Sequence, residues 1–448
     1  MAGGPPATGR VSTGAARADT AAGALSGLRG ADGVEFLGIP YARAERFVAP
    51  GPADPWTGVH DAVRGGPAAP QPDRPVARFT HGPMPPTSED CLSLNVYTPS
   101  LSPEHPRPVM VWLHGGGFAI GHAGASLYHG GWLAAKADAV VVTVNYRLGS
   151  LGWLWHPDLG TPAGNWGLLD QIAALEWVRV NIASFGGDAG RVTVAGQSAG
   201  ALCAIDLLAA PAADGLFNRT ILQSPPLGDL IQPADLAMRW AETLADPTEL
   251  RSLPAGRIVA LHEELLERPE YRGTRGGALP TLDPQIVPVS PAANPGISRD
   301  VDVLIGHTAD EGTFFFDAPW RPAPPPERVP DIVAHLYPGE DPQEVLDRYD
   351  SDLVAVATDA IVAGPLARWA DARAAAGGRV SRYVVDHPGA GPQLRATHTV
   401  EVPLLFGTWG DGGPGERLGG QAPGAGEVAE ELVGRWARFL HGEQLTQA

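Results

Sequence analysis

The 448-residue sequence contains two cysteines, Cys91 and Cys203, and a single lysine, Lys136. A disulfide framework needs more than one possible pair and an oxidising setting, so both thiols are expected to be free. Arginine supplies every other strongly basic side chain, and these do not gather into a compact cluster. With a formal net charge of -18 the surface repels phosphate backbones and anionic membranes, which argues against nucleic acid and membrane as partners. No uninterrupted apolar run approaches the roughly 20 residues needed to span a bilayer. The stretch from Met1 to about Gly30 is rich in Ala, Gly, Ser and Thr and lacks the charged start and apolar segment of a secretory signal. The expectation is a cytoplasmic protein, or one already stripped of its signal, with a single domain over 1–448 whose residues 1–22 form a poorly ordered tail. No internal repeat is present, and no cofactor or metal is expected.

What the chain does contain is punctuation. Its 57 Gly and 45 Pro separate apolar runs such as 108–113, 139–145 and 191–195. Short β-rich runs alternate with helical patterns, which predicts a mostly parallel sheet flanked by helices, an α/β fold. Candidate strands are Val109–Leu113, Ala139–Asn145, Arg191–Ala195, Thr220–Gln223, Val301–Gly306 and Arg382–Val385. Leu168, Ile172, Leu175, Val178 and Ile182 recur at steps of three and four, predicting an amphipathic helix over 168–183. Val428, Leu432, Trp436 and Phe439 repeat that pattern near the end. The Pro-rich 319–330 and Gly-rich 407–426 read as surface loops.

Gly196-Gln197-Ser198-Ala199-Gly200 stands directly after a β-run and before the apolar stretch 202–210. A sharp strand-to-helix turn exposes the serine hydroxyl, and small residues two before and two after permit close backbone approach. With 16 serines and 57 glycines in the chain, chance alone supplies about a quarter of such a match, so context must carry it. His114-Gly115-Gly116-Gly117-Phe118 supplies that context at the end of the strand 109–113. Consecutive glycines let backbone N–H groups converge on an oxyanion, with Gly116 and Gly117 as donors and Ala199 as the third.

With these motifs in view the chain resembles the type-B carboxylesterases, the family of α/β-hydrolases that includes carboxylesterases, cholinesterases and bacterial para-nitrobenzyl-type esterases. Phe36-Leu-Gly-Ile-Pro-Tyr-Ala42, Arg46-Phe47, Ser88-Glu-Asp-Cys-Leu-Ser-Leu-Asn-Val-Tyr97, Asn145-Tyr-Arg147, Gly164-Asn-Trp-Gly-Leu-Leu-Asp-Gln171, Phe185-Gly-Gly-Asp188 and Ile221-Leu-Gln-Ser224 match family blocks in order. The likeness runs from about Gly23 to Phe439 and is loose over 226–300, where the chain is shorter than most relatives. It implies a serine hydrolase of small-molecule carboxylic esters that works through an acyl-enzyme, on neutral, mainly apolar substrates of small to medium size. Ser198 is then the nucleophile and Glu311, in Asp310-Glu311-Gly312, the acid, with Asp310 solvating the turn. His398, three residues before Glu401, is the base, and His387 is the runner-up. Gln197, Ser224 and Glu401 are expected behind the triad, with ion pairs Arg46–Glu89 and Arg147–Asp170 tying loops to the sheet.

The sequence also departs from the family. Gln197 replaces the more common Glu, and Pro225-Pro226 replaces Gly after the Gln-Ser pair. In eukaryotic relatives the Cys of the Glu-Asp-Cys block pairs with an earlier cysteine, and none precedes Cys91. Cholinesterases hold choline against a Trp in the loop before that block; here 71–87 offers only Phe79 and His81 as aromatics, leaving Trp153, Trp155 or Trp320 as replacements. Acyl transfer or elimination at the same site in a biosynthetic pathway is the alternative activity, and a non-catalytic binding protein of this fold is the remote one. The oligomeric state is not legible in the sequence.

Overall fold

In the computed structural model the residues described are 14–102, 104–227, 231–268, 277–391, 393–420 and 422–445. Thirteen strands occur among them: β1 (Gly14–Thr20), β2 (Gly23–Gly30), β3 (Gly33–Pro40), β4 (Ala42–Arg43), β5 (Gly51–Pro52), β6 (Val59–Asp61), β7 (Ser93–Thr98), β8 (Arg107–Leu113), β9 (Val140–Val144), β10 (Gly187–Gln197), β11 (Arg219–Gln223), β12 (Asp302–Thr308) and β13 (Val380–Val385). Eleven form one sheet, in the order β1-β2-β3-β7-β9-β8-β10-β11-β12-β13 with β6 beside β2. From β9 to β13 every pairing is parallel, while β1, β2, β3, β7 and β9 pair antiparallel in turn.

Two-sided burial explains the apolar runs. In β8, Val109, Val111 and Leu113 enter the core on one face and Met110 and Trp112 the core on the other, following the period of two. The first face is covered by the helices Trp166–Asn181 and Ala199–Ala209, the second by Gly131–Ala137, Glu401–Phe406 and Ala425–Leu440. Leu168, Leu175 and Val178 anchor the helix Trp166–Asn181, and each buried side chain of this kind contributes about 1.5–3 kcal/mol. The helix starts two residues before its predicted position and gives way to a 3₁₀ turn, Ile182–Phe185, that ends at Gly186 in the left-handed region (φ 78°).

Three expectations need correction. The tail assigned to 1–22 is structured from Gly14: β1 pairs along its whole length with β2, burying Ala16 and Ala18. Alanine, glycine and aspartate are poor strand formers, so this alternation carried little signal. Residues 1–13 lie outside the described residues. The loop expected over 319–330 ends in a 3₁₀ turn, Pro326–Arg328, that feeds the helix Val329–Leu336, with Pro330 in its first turn, where no N–H is needed. The loop expected over 407–426 contains the helix Pro414–Gly419 and the start of Ala425–Leu440. A helical run, Leu353–Ala375, has the length and apolarity of a membrane span, but 44% of its most apolar window is buried inside the protein and it carries Asp359.

The sheet order reverses at β8. The chain goes from β8 to β9 on one side, then crosses to β10 on the other, which opens a crevice at the C-terminal ends of adjacent strands. His114 follows β8 and Ser198 follows β10, so the order of strands alone brings the two glycine motifs together.

Candidate active site

Ser198 sits between β10 and the helix Ala199–Ala209 with φ 56° and ψ -123°, a conformation that L-residues rarely adopt. Its N–H donates to the Gln223 carbonyl (2.9 Å) and its carbonyl accepts from Leu202 (3.0 Å), which hold the turn at both ends. The glycines of the motif are steric necessities. A Cβ at Gly196 would lie 2.3 Å from the Gly200 carbonyl carbon, and one at Gly200 would lie 2.0 Å from the Leu113 oxygen at the end of β8. Helix and strand therefore meet backbone to backbone, and the serine is left partly exposed while its neighbours are buried.

The glycine loop packs against this turn. A Cβ at Gly115 would be 3.3 Å from the Ser198 Cβ and 2.5 Å from Gln197 Oε1. Gly116 (φ 121°) and Gly117 (φ 62°) take left-handed conformations. A Cβ at Gly117 would meet nothing within 4 Å, so this residue borders open space. The Gly116 carbonyl accepts from Ala119 (3.2 Å) and Ile120 (3.1 Å), turning the loop so that its own N–H groups are directed elsewhere. Ala199 is the first residue of its helix, where the N–H is unpaired and the helix dipole is positive. Two braces absent from the sequence reading hold the loop: Gln71 exchanges two hydrogen bonds with Gly121 (2.9 and 2.8 Å), and the Tyr146 hydroxyl donates to the His114 carbonyl (2.6 Å) while its ring stacks on the imidazole at 4.4 Å. Gln71 reaches Gly121 from 50 residues upstream, so no local pattern marks it.

The structure brings together Glu311, which follows β12, and His398, which follows the neighbouring parallel strand β13. His398 Nδ1 hydrogen-bonds Glu311 Oε2, and the Thr308 N–H donates to Glu311 Oε1 (2.8 Å). Both side chains are buried. Burial pushes the Glu311 carboxyl up, but His398, the Ser224 hydroxyl and the Thr308 N–H outweigh it and hold the group below its usual range, ionised. An ionised carboxylate only accepts, so His398 donates from Nδ1, and in the neutral imidazole Nε2 is then the nitrogen with the lone pair. Asp310 does more than solvate its turn: its carboxylate accepts from the Ala396 N–H (3.1 Å) and sits 3.7 Å from Arg395, fixing the segment that delivers His398. His387, the runner-up, is buried 3.3 Å from the Gly419 carbonyl and is not part of this arrangement.

Behind the pair, Gln223 Nε2 donates to Ser224 Oγ (2.9 Å). Glu401 is fully buried, and burial first, then the Glu311 charge, pushes its carboxyl well above the usual range, so it is a neutral acid. Both expected ion pairs are present: Arg46 bonds Glu89 at 2.8 and 2.5 Å, and the buried Arg147 bonds Asp170 at 2.8 and 2.7 Å. An apolar wall adjoins His398. Phe314 and Phe315 lie 5.1 and 5.4 Å from the His398 ring, Trp320 lies 4.9 Å from Phe314, and Phe79 4.7 Å from Trp320. Of the three tryptophans considered, Trp320 is the one beside the site; Trp153 is in the core and Trp155 donates to Asp283 (2.9 Å). A cavity of about 930 Å³ between 70–73, 87–89 and 255–264 is lined by none of Ser198, Glu311 and His398. Among the described residues no cluster of His, Cys, Asp and Glu is suited to hold a metal ion.

Comparison with known proteins gives the same picture from outside the chain. The model of the carboxylesterase family matches residues 15–441. The para-nitrobenzyl esterase of Bacillus subtilis (strain 168) is 35% identical over 83% of this chain and 79% of its own length. A probable N-octanoylanthranilate hydrolase of Rhodococcus erythropolis is 36% identical over 91% and 88%. Among solved structures, a thermophilic para-nitrobenzyl esterase superposes with a TM-score of 0.83 at 32% identity, covering 96% of this chain and 92% of that one.

Proposed function

The chain belongs to the carboxylesterase family and is a carboxylic-ester hydrolase, and from that premise we propose that it works through an acyl-enzyme with Ser198 as nucleophile, His398 as general base and Glu311 orienting the base. A serine hydroxyl is too weak an acid to attack unaided. His398 Nε2 takes its proton, and the ionised Glu311 fixes the tautomer and stabilises the imidazolium. The N–H groups of Gly116, Gly117 and Ala199 receive the negative charge of the tetrahedral intermediate. His398 then protonates the leaving alcohol, and water repeats the sequence on the acyl-enzyme. The observation that carries this reading is the strained turn at Ser198 packed against the glycine loop, with the His398–Glu311 pair joined to the adjacent Gln197 at 3.0 Å.

The substrates are neutral, mainly apolar esters of small to medium size. The wall of Phe314, Phe315, Trp320 and Phe79 supports this, because it offers apolar area beside the base and no carboxylate. Choline esters fit poorly, since Phe79 and Phe314 both pack on Trp320 and Gln197 is neutral. A fluorophosphonate probe should label Ser198 and no other residue, as mapped by peptide mass spectrometry, and a panel of p-nitrophenyl and thiocholine esters should show kcat/KM well in favour of the former. Labelling elsewhere, or an active Ser198→Ala enzyme, would remove the mechanism; equal turnover of thiocholines would remove the substrate class.

A further inference from the structure

Gln197 ends β10, one residue before the nucleophile, and its side chain is 2% exposed. Its amide nitrogen lies 3.0 Å from His398 Nε2 and 3.1 Å from Thr399 Oγ1, while its oxygen faces Gly115. In the neutral imidazole that donates from Nδ1 to Glu311, Nε2 is the acceptor, and the contact is an amide N–H donated to the lone pair that must receive the serine proton. The second amide hydrogen goes to Thr399, which fixes the amide with its donor face toward the base. Among the described residues no hydrogen bond joins Ser198 Oγ to His398. Two donors on adjacent residues thus compete for one lone pair, and in this structure the amide holds it.

We propose that Gln197 is a positioning residue that occupies His398 Nε2 in the resting enzyme and must release Nε2 as Ser198 is activated. The inference rests on the triad reading above. A donor on Nε2 stabilises the form that has a lone pair there; once Nε2 is protonated, it meets the NH₂ group donor to donor. A carboxylate at this position would act in the opposite sense and stabilise the imidazolium. The other groups that face the imidazole do not reproduce this effect. Glu311 is on Nδ1, Phe314 and Phe315 are uncharged, Glu401 is neutral, and Asp310 is engaged with the Ala396 N–H and with Arg395, which also pairs with Asp352 at 2.8 Å.

The test is the pH–kcat/KM profile of the full chain on one p-nitrophenyl ester, together with the pH dependence of fluorophosphonate labelling. Gln197→Glu should move the acid limb of both profiles to higher pH by about one unit, the usual effect of an opposite charge within a few ångströms. Gln197→Met, of similar length with neither donor nor charge, should move it in the same direction by less while retaining the wild-type Tm. A residue that merely packs would scale the rate at every pH without moving the limb. Acid limbs of both variants superposed on the wild type, whatever the loss in rate, would overturn the proposal. Wild-type protein that is labelled away from Ser198 would instead overturn the triad reading, so the two failures are distinguishable.

Discussion

Gly200→Ala puts the steric account of the nucleophile turn at risk. The added Cβ would stand 2.0 Å from the Leu113 oxygen and 2.7 Å from the His114 oxygen, both backbone atoms that no rotamer change can move. Restoring ordinary contact requires the helix Ala199–Ala209 and the end of β8 to part by roughly 1.4 Å. That gap opens between Ser198 and the glycine loop and disturbs the carbonyl that accepts from Tyr146. Overpacking of this kind costs about 1–3 kcal/mol, and a misplacement near 1 Å at a catalytic group costs on the order of 10²-fold in rate. The expected variant folds with a Tm a few degrees lower and a kcat about a hundredfold lower, read by thermal unfolding and by p-nitrophenyl ester turnover. Gly117→Ala is the control for the Tm arm alone: its Cβ meets open space, so its stability cost is only the left-handed backbone penalty of about 1–2 kcal/mol and the strand spacing stays intact. A Gly200→Ala enzyme with wild-type Tm and turnover would refute the close backbone contact as the reason for the motif.

Three other outcomes follow from the same structure. Glu311→Gln should lower kcat by on the order of 10⁴-fold, because the amide cannot hold the charged base in the required tautomer, whereas Asp310→Asn retains an acceptor for the Ala396 N–H and should cost little; the reverse order in steady-state kinetics would exchange their roles. Asp206, in the middle of the helix Ala199–Ala209, is fully buried with no hydrogen-bond partner for either oxygen among the described residues, and burial pushes its carboxyl well above the usual range. Its proton is therefore kept on folding and lost on unfolding, so stability falls by about 1.4 kcal/mol per pH unit above roughly pH 4 until the folded carboxyl ionises. Asp206→Asn should remove that slope and gain more Tm at pH 8 than at pH 5, and an equal change at both pH values would contradict the burial argument. Cys91 and Cys203 are free and buried, and burial pushes the Cys91 thiol up to about 12, so a disulfide-exchange reagent should find no reactive thiol in native protein and two in denatured, unreduced protein.

What could be read from the sequence follows from how far each constraint reaches along the chain. The runs that became β8, β9 and β10 were visible because burial on both faces demands an apolar side chain at nearly every position. The Gly196 and Gly200 pair was visible because the clash it avoids is with backbone, which leaves glycine as the one solution. β1 was not visible, because its buried positions are only Ala16 and Ala18, and their meaning depends on β2 being beside them. The wall of Phe79, Trp320 and Phe314 was not visible either, since its rings come from segments more than 200 residues apart and no local pattern distinguishes them from aromatics in other loops. Gln197 marks the boundary between the two cases. It stands inside the motif, so its identity as the residue before the nucleophile was plain, yet its partner His398 is 201 residues away. An amide can donate or accept, and the sequence contains nothing that chooses; in the fold its oxygen lies beside Gly115 and its nitrogen beside Thr399 and His398. On the proposed mechanism, the chemistry of the nucleophile is thus written in residues 196–200, while the control of its base is written in the fold that carries 397–399 to it.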